Sequence, residues 1–249
     1  MAKNLSKFPF IFLFLVVVLA FCFPSIPKAL AIHTSINTAD TAWMLTATAL
    51  VLIMTPGLAF FYGGMVNKKN VISTMLQSFI CMVLITVMWV VFGFSLAFGE
   101  SIGGFIGNPS TYFMMNGVID GQPWKLAPTI PFLLFAMYQL KFAIITPAII
   151  TGSFVERVRF VAYLFFICLF TLFIYAPLCH SVWYPTGILG TYFGVKDFAG
   201  GTVVHMSAGF AALAGVLVLG KRTNKVNIPT NIPFVLLGTG MLWFGWFGF

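Results

Sequence analysis

Charge is what this sequence most lacks. Of 249 residues, 13 are Lys or Arg and 5 are Asp or Glu, so charged residues make up only 7% of the chain. A soluble domain carries roughly 25%, and any compact fold leaves much of its chain at the surface. With 60% hydrophobic residues and a mean hydropathy of +1.03, the solvent that suits this surface is lipid. Acids are scarcer than bases, which leaves a net charge of +8. That excess does not make a nucleic-acid interface, because the basic residues fall in short clusters between apolar runs and form no stripe on a soluble face. Cysteine is sparse too. Cys22, Cys81, Cys168 and Cys179 show no CxxC or other metal spacing and read as small buried hydrophobes, so no metal or cofactor is expected. These residues contain no internal repeat and no soluble signalling domain, which a sensor would need.

What is present is a succession of apolar runs. Residues 1–31 have the pattern of a secretory signal peptide: Lys3 and Lys7, an apolar stretch Phe8–Phe23, helix-breaking Pro24 and Pro27, then Ala29-Leu30-Ala31 at the cleavage positions. An uncleaved first membrane helix is the other reading. Cleavage would remove Lys3, Lys7 and Lys28 and lower the net charge from +8 to +5. A bilayer crossing needs about 20 residues, and the runs predict transmembrane helices over 42–64, 71–98, 131–154, 159–183, 199–220 and 232–249. The second is long enough to be tilted. Thr55-Pro56-Gly57 is expected to interrupt the first and Thr146-Pro147 the third. Such breaks are tolerated in lipid where neighbouring helices satisfy the freed carbonyls, which implies a bundle. The chain closes on Trp246-Phe247-Gly248-Phe249 with no polar tail, as a truncated chain or half of a larger unit would.

Charge also orients the bundle. Lys68 and Lys69 follow the first helix, Arg157 and Arg159 lie between the third and fourth, and Lys221, Arg222 and Lys225 follow the fifth, against the single acid Glu156. The opposite loops hold Glu100, Asp120, Lys125, Lys196 and Asp197, the first two and Lys125 at or within the long Gly99–Ile130 loop. The positive-inside rule puts the first set in the cytoplasm and the mature N-terminus outside, as a cleaved signal peptide requires.

Ionisable groups inside the hydrocarbon cost several kcal/mol and mostly line cavities or pathways. His205 is the leading candidate. It lies eight residues after Asp197, about 12 Å deeper if the helix begins there, and can pass or accept a hydrogen bond at neutral pH. A packed core histidine is the alternative. Asp197 opens the fifth helix as a cap, or favours a cation beneath the outer surface. Trp183 ends the fourth helix as an interfacial anchor or as a cation–π platform. His180, three residues earlier, reads as a structural polar group. Gln139 and Lys141 lie in mid-helix, and Lys141 could face a gap, pair with a distant acid or stay neutral. The small residues dense in the fifth helix read as packing.

These landmarks resemble the ammonium transporter family, which includes the methylammonium permeases and Rhesus-type proteins. The resemblance rests on Thr55-Pro56-Gly57 with Phe61-Tyr62-Gly63-Gly64-Met65-Val66 and Lys69-Asn70-Val71, and on Phe142-Ala143-Ile144-Ile145-Thr146-Pro147-Ala148 with Gly152 and Glu156-Arg157. It also rests on Asp197-Phe198-Ala199-Gly200-Gly201-Thr202-Val203-Val204-His205 and on Gly245-Trp246-Phe247-Gly248-Phe249. It implies an all-α polytopic membrane protein, with residues 32–249 forming the first half of an eleven-helix inverted-repeat bundle, assembled as a homotrimer with one narrow pore per subunit. By the same likeness Trp183 falls on the outer residue that meets ammonium, Asp197 on an acid that supports the site, His205 on the first of two pore histidines and Phe249 on one of two stacked gate rings. The other gate position reads Tyr138, followed by Gln139. A phenol there adds a hydroxyl to the gate.

The resemblance implies ammonium or ammonia transport in the cell (inner) membrane, with no enzymatic step, and contact with a nitrogen-regulatory signal protein. Repeat transporters build their pores between repeats, so the six helices alone are expected to conduct poorly or not at all. One competing reading is a non-transporting fragment that assembles with, or interferes with, a full-length relative. Another is a membrane redox protein with His180 and His205 as haem ligands.

Overall fold

The computed structural model describes residues 35–222 and 228–249, with four single helical positions (11, 14, 15 and 18) ahead of them. Apart from those positions the expected signal peptide lies outside the described residues, as does Lys225. Helix α1 is Thr38–Met65. It starts earlier than its hydropathy predicts because Asn37 caps it, with Oδ1 accepting from Ala39 N (2.8 Å) and Asp40 N (3.1 Å). Helix α2, Val71–Met88, passes through a π-helical turn at Trp89–Gly93 into α3, Phe94–Phe98. The segment that follows is organised by two small antiparallel ribbons, β1 (Ser101–Ile102) with β2 (Ile106–Gly107) and β3 (Pro123–Trp124) with β4 (Ala127–Pro131).

Helix α4 is Phe132–Phe154. Helix α5, Phe160–Phe170, continues through a second π-helical turn, Thr171–Tyr175, into α6, Ala176–Trp183, with the short α7 at Ile188–Thr191. A third π-helical turn, Gly201–Met206, leads into α8, Ser207–Leu219. Helix α9, Ile232–Gly245, ends in a 3₁₀ turn at Trp246–Gly248. Five of these helical stretches are long and apolar enough to cross a membrane: Thr38–Met65, Lys68–Phe98, Phe132–Phe154, Phe160–Thr191 and Gly201–Leu219. Ile232–Gly248, predicted as a sixth crossing, is apolar but shorter.

The expected proline interruptions do not occur. Both α1 and α4 run through their prolines as single helices. In α4 the Thr146 hydroxyl donates to the Phe142 carbonyl (2.6 Å), beside the point where Pro147 withholds an N–H. In α1 the reason for the Pro-Gly pair is close approach: a Cβ on Gly57 would lie 3.1 Å from Met241 Cβ and 3.2 Å from the Gly238 carbonyl oxygen. Small residues therefore bring α9 against α1 backbone to backbone, the membrane form of tight helix packing.

Helix α4 is the central post, with 67% of its apolar window buried against 22% for the Gly201–Leu219 span. At one end an aromatic cluster fixes the ribbons to the bundle. Trp124 stacks on Phe132 (5.2 Å, 10°) and meets Phe135 at 4.9 Å, while the Trp89 indole donates to the Ala136 carbonyl (3.1 Å). At the other end the loops predicted to share one side do meet. Glu156 Oε1 accepts from Asn67 N (3.0 Å), Asn67 Nδ2 (2.8 Å) and Asn70 Nδ2 (2.8 Å), and Oε2 pairs with Arg222 (3.3 Å). Arg157 donates to the Gly220 carbonyl (2.9 Å). Glu156 holds a left-handed backbone, φ +65°, uncommon for a residue with a side chain, and it is this turn that aims its carboxylate at two other loops. Burial alone would raise its pKa, but the Asn70 and Asn67 donors and the Arg222 guanidinium outweigh that and hold the carboxyl below its usual value.

Candidate functional site

The site is built around Asp197. Gly200 takes a left-handed conformation (φ +71°), which turns the next three backbone N–H groups back toward the Asp197 carboxylate. Oδ1 accepts from Gly201 N (2.8 Å), and Oδ2 accepts from Thr202 N (2.9 Å) and Val203 N (2.9 Å). Of the two readings of Asp197, the geometry makes it the cap of the helical stretch that starts at Gly201, satisfying donors that a helix start leaves orphaned. That start also corrects the depth of His205, which lies four residues beyond Gly201, about 6 Å and not 12 Å into the helix. Val204 N and His205 N both donate to the Gly200 carbonyl at 2.9 Å, so the turn is wide from its first bond.

The Asp197 main chain is used as well. Its carbonyl accepts from the Trp183 indole N–H (3.0 Å), which fixes the indole at the end of α6. From Trp183 a series of rings leads inward. Trp183 meets Phe142 at 6.3 Å (76°), Phe142 meets Phe249 edge-on at 4.9 Å (82°), and Phe249 stacks on the His205 imidazole at 5.4 Å (20°). Outside the Phe142–Phe249 pair lies a cavity of about 430 Å³, lined by Tyr138, Gln139, Phe142, Trp183, Asp197, Gly200 and Phe249 among others. Four of the five predicted residues thus line one cavity. The fifth, His205, is not part of its wall and contacts it through the Phe249 ring. Its own side is exposed in this chain, while Val203 and Val204 beside it are buried.

The ring paired with Phe249 is Phe142, where the likeness pointed to Tyr138. Tyr138 sits one turn earlier on α4, packs edge-on against Phe142 (4.8 Å, 79°) and donates its hydroxyl to the Gly248 carbonyl (2.8 Å). The signal for Phe142 was present in the sequence, since residues four apart share a helix face, but spacing alone does not say which of two aromatic residues on that face meets a distant ring. Gln139 Oε1 is buried without a partner at the cavity wall.

His180 stands apart from this series. It is fully buried, with Nδ1 3.0 Å from the Ala97 carbonyl and Nε2 2.9 Å from the Ser101 hydroxyl, and its ring stacks on Tyr184 at 4.5 Å. With both ring nitrogens engaged it cannot serve as a haem ligand without losing a bond, and its place is structural. Lys141 is 7% exposed and makes no ion pair among the described residues. No group of three His, Cys, Asp or Glu residues that could hold a metal occurs among the described residues. What the cavity offers is aromatic faces and main-chain polarity, a surface suited to a small cation or a small neutral donor.

The sequence profile of the Ammonium Transporter Family matches residues 42–249. The chain is 47% identical over 224 residues to an ammonium transporter of Aquifex aeolicus, covering 89% of this chain and 51% of that protein. It is 46% identical over 213 residues to an ammonium transporter of Bacillus subtilis, covering 84% and 51%. Among solved structures, that of Candida albicans Mep2 superposes with a TM-score of 0.77 at 34% identity, covering 86% of this chain and 48% of that one. The chain thus spans about half the length of the curated relatives it matches. The profile match, the shared helical architecture and the apolar spans agree: this chain is an integral membrane protein that belongs to the Ammonium Transporter Family.

Proposed function

We propose that this chain supplies the outer cavity, the aromatic gate and the first pore histidine of a transporter that moves ammonium or ammonia across the cell membrane. The observation that carries the reading is the ring series from Trp183 through Phe142 and Phe249 to His205, anchored at its outer end on Asp197. Ammonium enters the cavity against the Trp183 face, where cation–π attraction replaces part of its hydration. The Asp197 carboxylate, committed to three N–H groups, adds negative charge nearby without needing to touch the solute. The Phe142–Phe249 pair closes the floor of the cavity. A bare cation such as K⁺ has no proton to shed and gains nothing there to offset dehydration, whereas an ammonium that passes a proton to water in the cavity crosses as a small neutral solute. His205, behind the gate ring, takes one of that solute's hydrogen bonds.

The basic loops joined through Glu156 face the cytoplasm in this reading, and the mature N-terminus lies outside. The names of the matching relatives, ammonium transporters, support the solute. Assembly as a homotrimer, and regulation by a nitrogen-responsive signal protein at the inner loops, follow from the family likeness and belong to the same proposal. The test is uptake of labelled methylammonium by cells that lack their own carriers and express the complete gene product. Uptake that excess ammonium suppresses supports transport, and uptake equal to that of empty cells overturns it.

A further inference from the structure

We propose that Tyr138 is a positioning residue: the hydrogen bond from its hydroxyl to the Gly248 carbonyl holds Phe249 in the closed gate, so that tightness here depends on a bond as well as on ring packing. This rests on the transport reading above for its functional meaning, but its geometry stands by itself.

Gly248 is the last residue of the 3₁₀ turn after α9, and Phe249 follows it directly. Three contacts define this corner. On one side Gly248 lies against α1, where an added Cβ would come within 2.7 Å of the Ala47 carbonyl oxygen and 2.8 Å of Leu50 Cβ. On the other side Tyr138 reaches across from α4 and donates to the Gly248 carbonyl at 2.8 Å. Within the turn, Phe249 N donates to the Trp246 carbonyl at 3.2 Å. The peptide unit that precedes the gate ring is therefore gripped between α1 and α4.

The Phe249 ring makes an edge contact with Phe142 at 4.9 Å, stacks on the His205 imidazole at 5.4 Å and approaches Gly200. Ring contacts of this kind are soft and tolerate rotation, whereas a hydrogen bond is directional. The Gly248 carbonyl accepts from the phenol across the α4–α9 contact, a bond between two elements that no single helix supplies. The bond has a second effect. It commits the phenol's one proton to the backbone and leaves the hydroxyl able only to accept a further bond. Tyrosine at this position thus contributes its ring face to the cavity and its hydroxyl to the architecture of the gate.

The test is Tyr138→Phe in the complete gene product, reconstituted in vesicles, with 4-fluorophenylalanine at position 249 as a ¹⁹F reporter. Removing the hydroxyl leaves the ring face in the cavity wall. The ¹⁹F resonance should shift or narrow as the ring gains motion, and K⁺ leak relative to methylammonium flux should rise by roughly two- to tenfold, the range an ordinary hydrogen bond supports. An unchanged resonance overturns the proposal, and so does a changed resonance with unchanged K⁺ selectivity. If wild-type vesicles carry no methylammonium, the transport reading fails, and the resonance alone then decides whether the hydroxyl holds the ring.

Discussion

The Asp197 cap makes a graded prediction, because this chain contains its own comparison. A carboxylate offers two oxygens, and Asp197 uses them for three N–H groups at 2.8–2.9 Å. An amide offers one, and Asn37 shows what one can do at a helix start here: its Oδ1 takes two N–H groups, at 2.8 and 3.1 Å. Asp197→Asn should therefore keep two of the three bonds, lose the charge, and turn an NH₂ toward the third donor. One orphaned donor costs about 1–3 kcal/mol, and this one is only part-buried, so the lower half of that range applies. Asp197→Ala orphans all three donors, and at about 1 kcal/mol each the loss is about 3 kcal/mol, roughly a 150-fold rise in the population with the first turn open. Hydrogen exchange of the peptide covering 198–206 reads this directly, with Asn intermediate between wild type and Ala. Methylammonium uptake should fall in the same order, because an open first turn takes His205 off the Phe249 ring. Exchange at 201–203 within twofold of wild type in Asp197→Ala would refute the argument.

Three further outcomes follow from the geometry. Glu156 has a folded-state pKa below its ordinary value of 4.5, so its contribution to stability is present above that value and is lost as pH falls through the depressed one. The difference in melting temperature between wild type and Glu156→Gln should accordingly be largest above about pH 5 and shrink on acidification, and a difference that grows in acid would contradict it. Gly200→Ala places a Cβ at φ +71°, 2.8 Å from Val204 Cγ2 and 3.3 Å from the Phe249 ring, and should destabilise the protein by about 1–2 kcal/mol, measured as a fall in thermal midpoint. Trp183→Leu removes both the aromatic face and the indole bond to Asp197. It should raise the methylammonium KM by about tenfold, the value of one partly desolvated cation–π contact, with a smaller change in kcat.

Hydropathy made the crossings legible, since each predicted run coincides with an apolar helix to within a few residues, except that Phe160–Thr191 extends past its predicted end. The signals that failed were local. Pro56 and Pro147 read as breaks because proline breaks helices in water, yet in this bundle helix packing and the Thr146 hydroxyl keep both helices continuous. The π-helical turns at Trp89–Gly93, Thr171–Tyr175 and Gly201–Met206 have no composition that distinguishes them from ordinary helix. The joining of three loops through Glu156 was half visible: charge counting put those loops on one side, but the left-handed turn that aims the carboxylate is a backbone fact. The site divides in the same way. Asp197, Gly200 and His205 stand in one short segment and can be read together, whereas the pairing of Phe249 with Phe142 joins residues 107 positions apart in sequence and appears only in three dimensions.

The Asp197 side of the site is fixed locally, by a cap and an indole bond that need only the segment 183–205. The Phe142–Phe249 pair, the gate of the proposed transporter, depends on three helices meeting: α4 brings Phe142 and Tyr138, α9 brings Phe249, and α1 supplies the surface on which the Gly248 turn rests. Any change in the α1–α9 contact therefore reaches that ring pair without touching a cavity residue. Gly57 and Gly238 sit in that contact, where an added Cβ would meet backbone on the facing helix. A larger side chain at either position forces the helices apart by a fraction of an ångström or more, and a hydrogen bond at 2.8 Å has little slack before it weakens. Leakiness to K⁺ with an intact cavity is then the consequence of damage to the helix seam, while loss of solute affinity with a tight gate is the consequence of damage around Asp197.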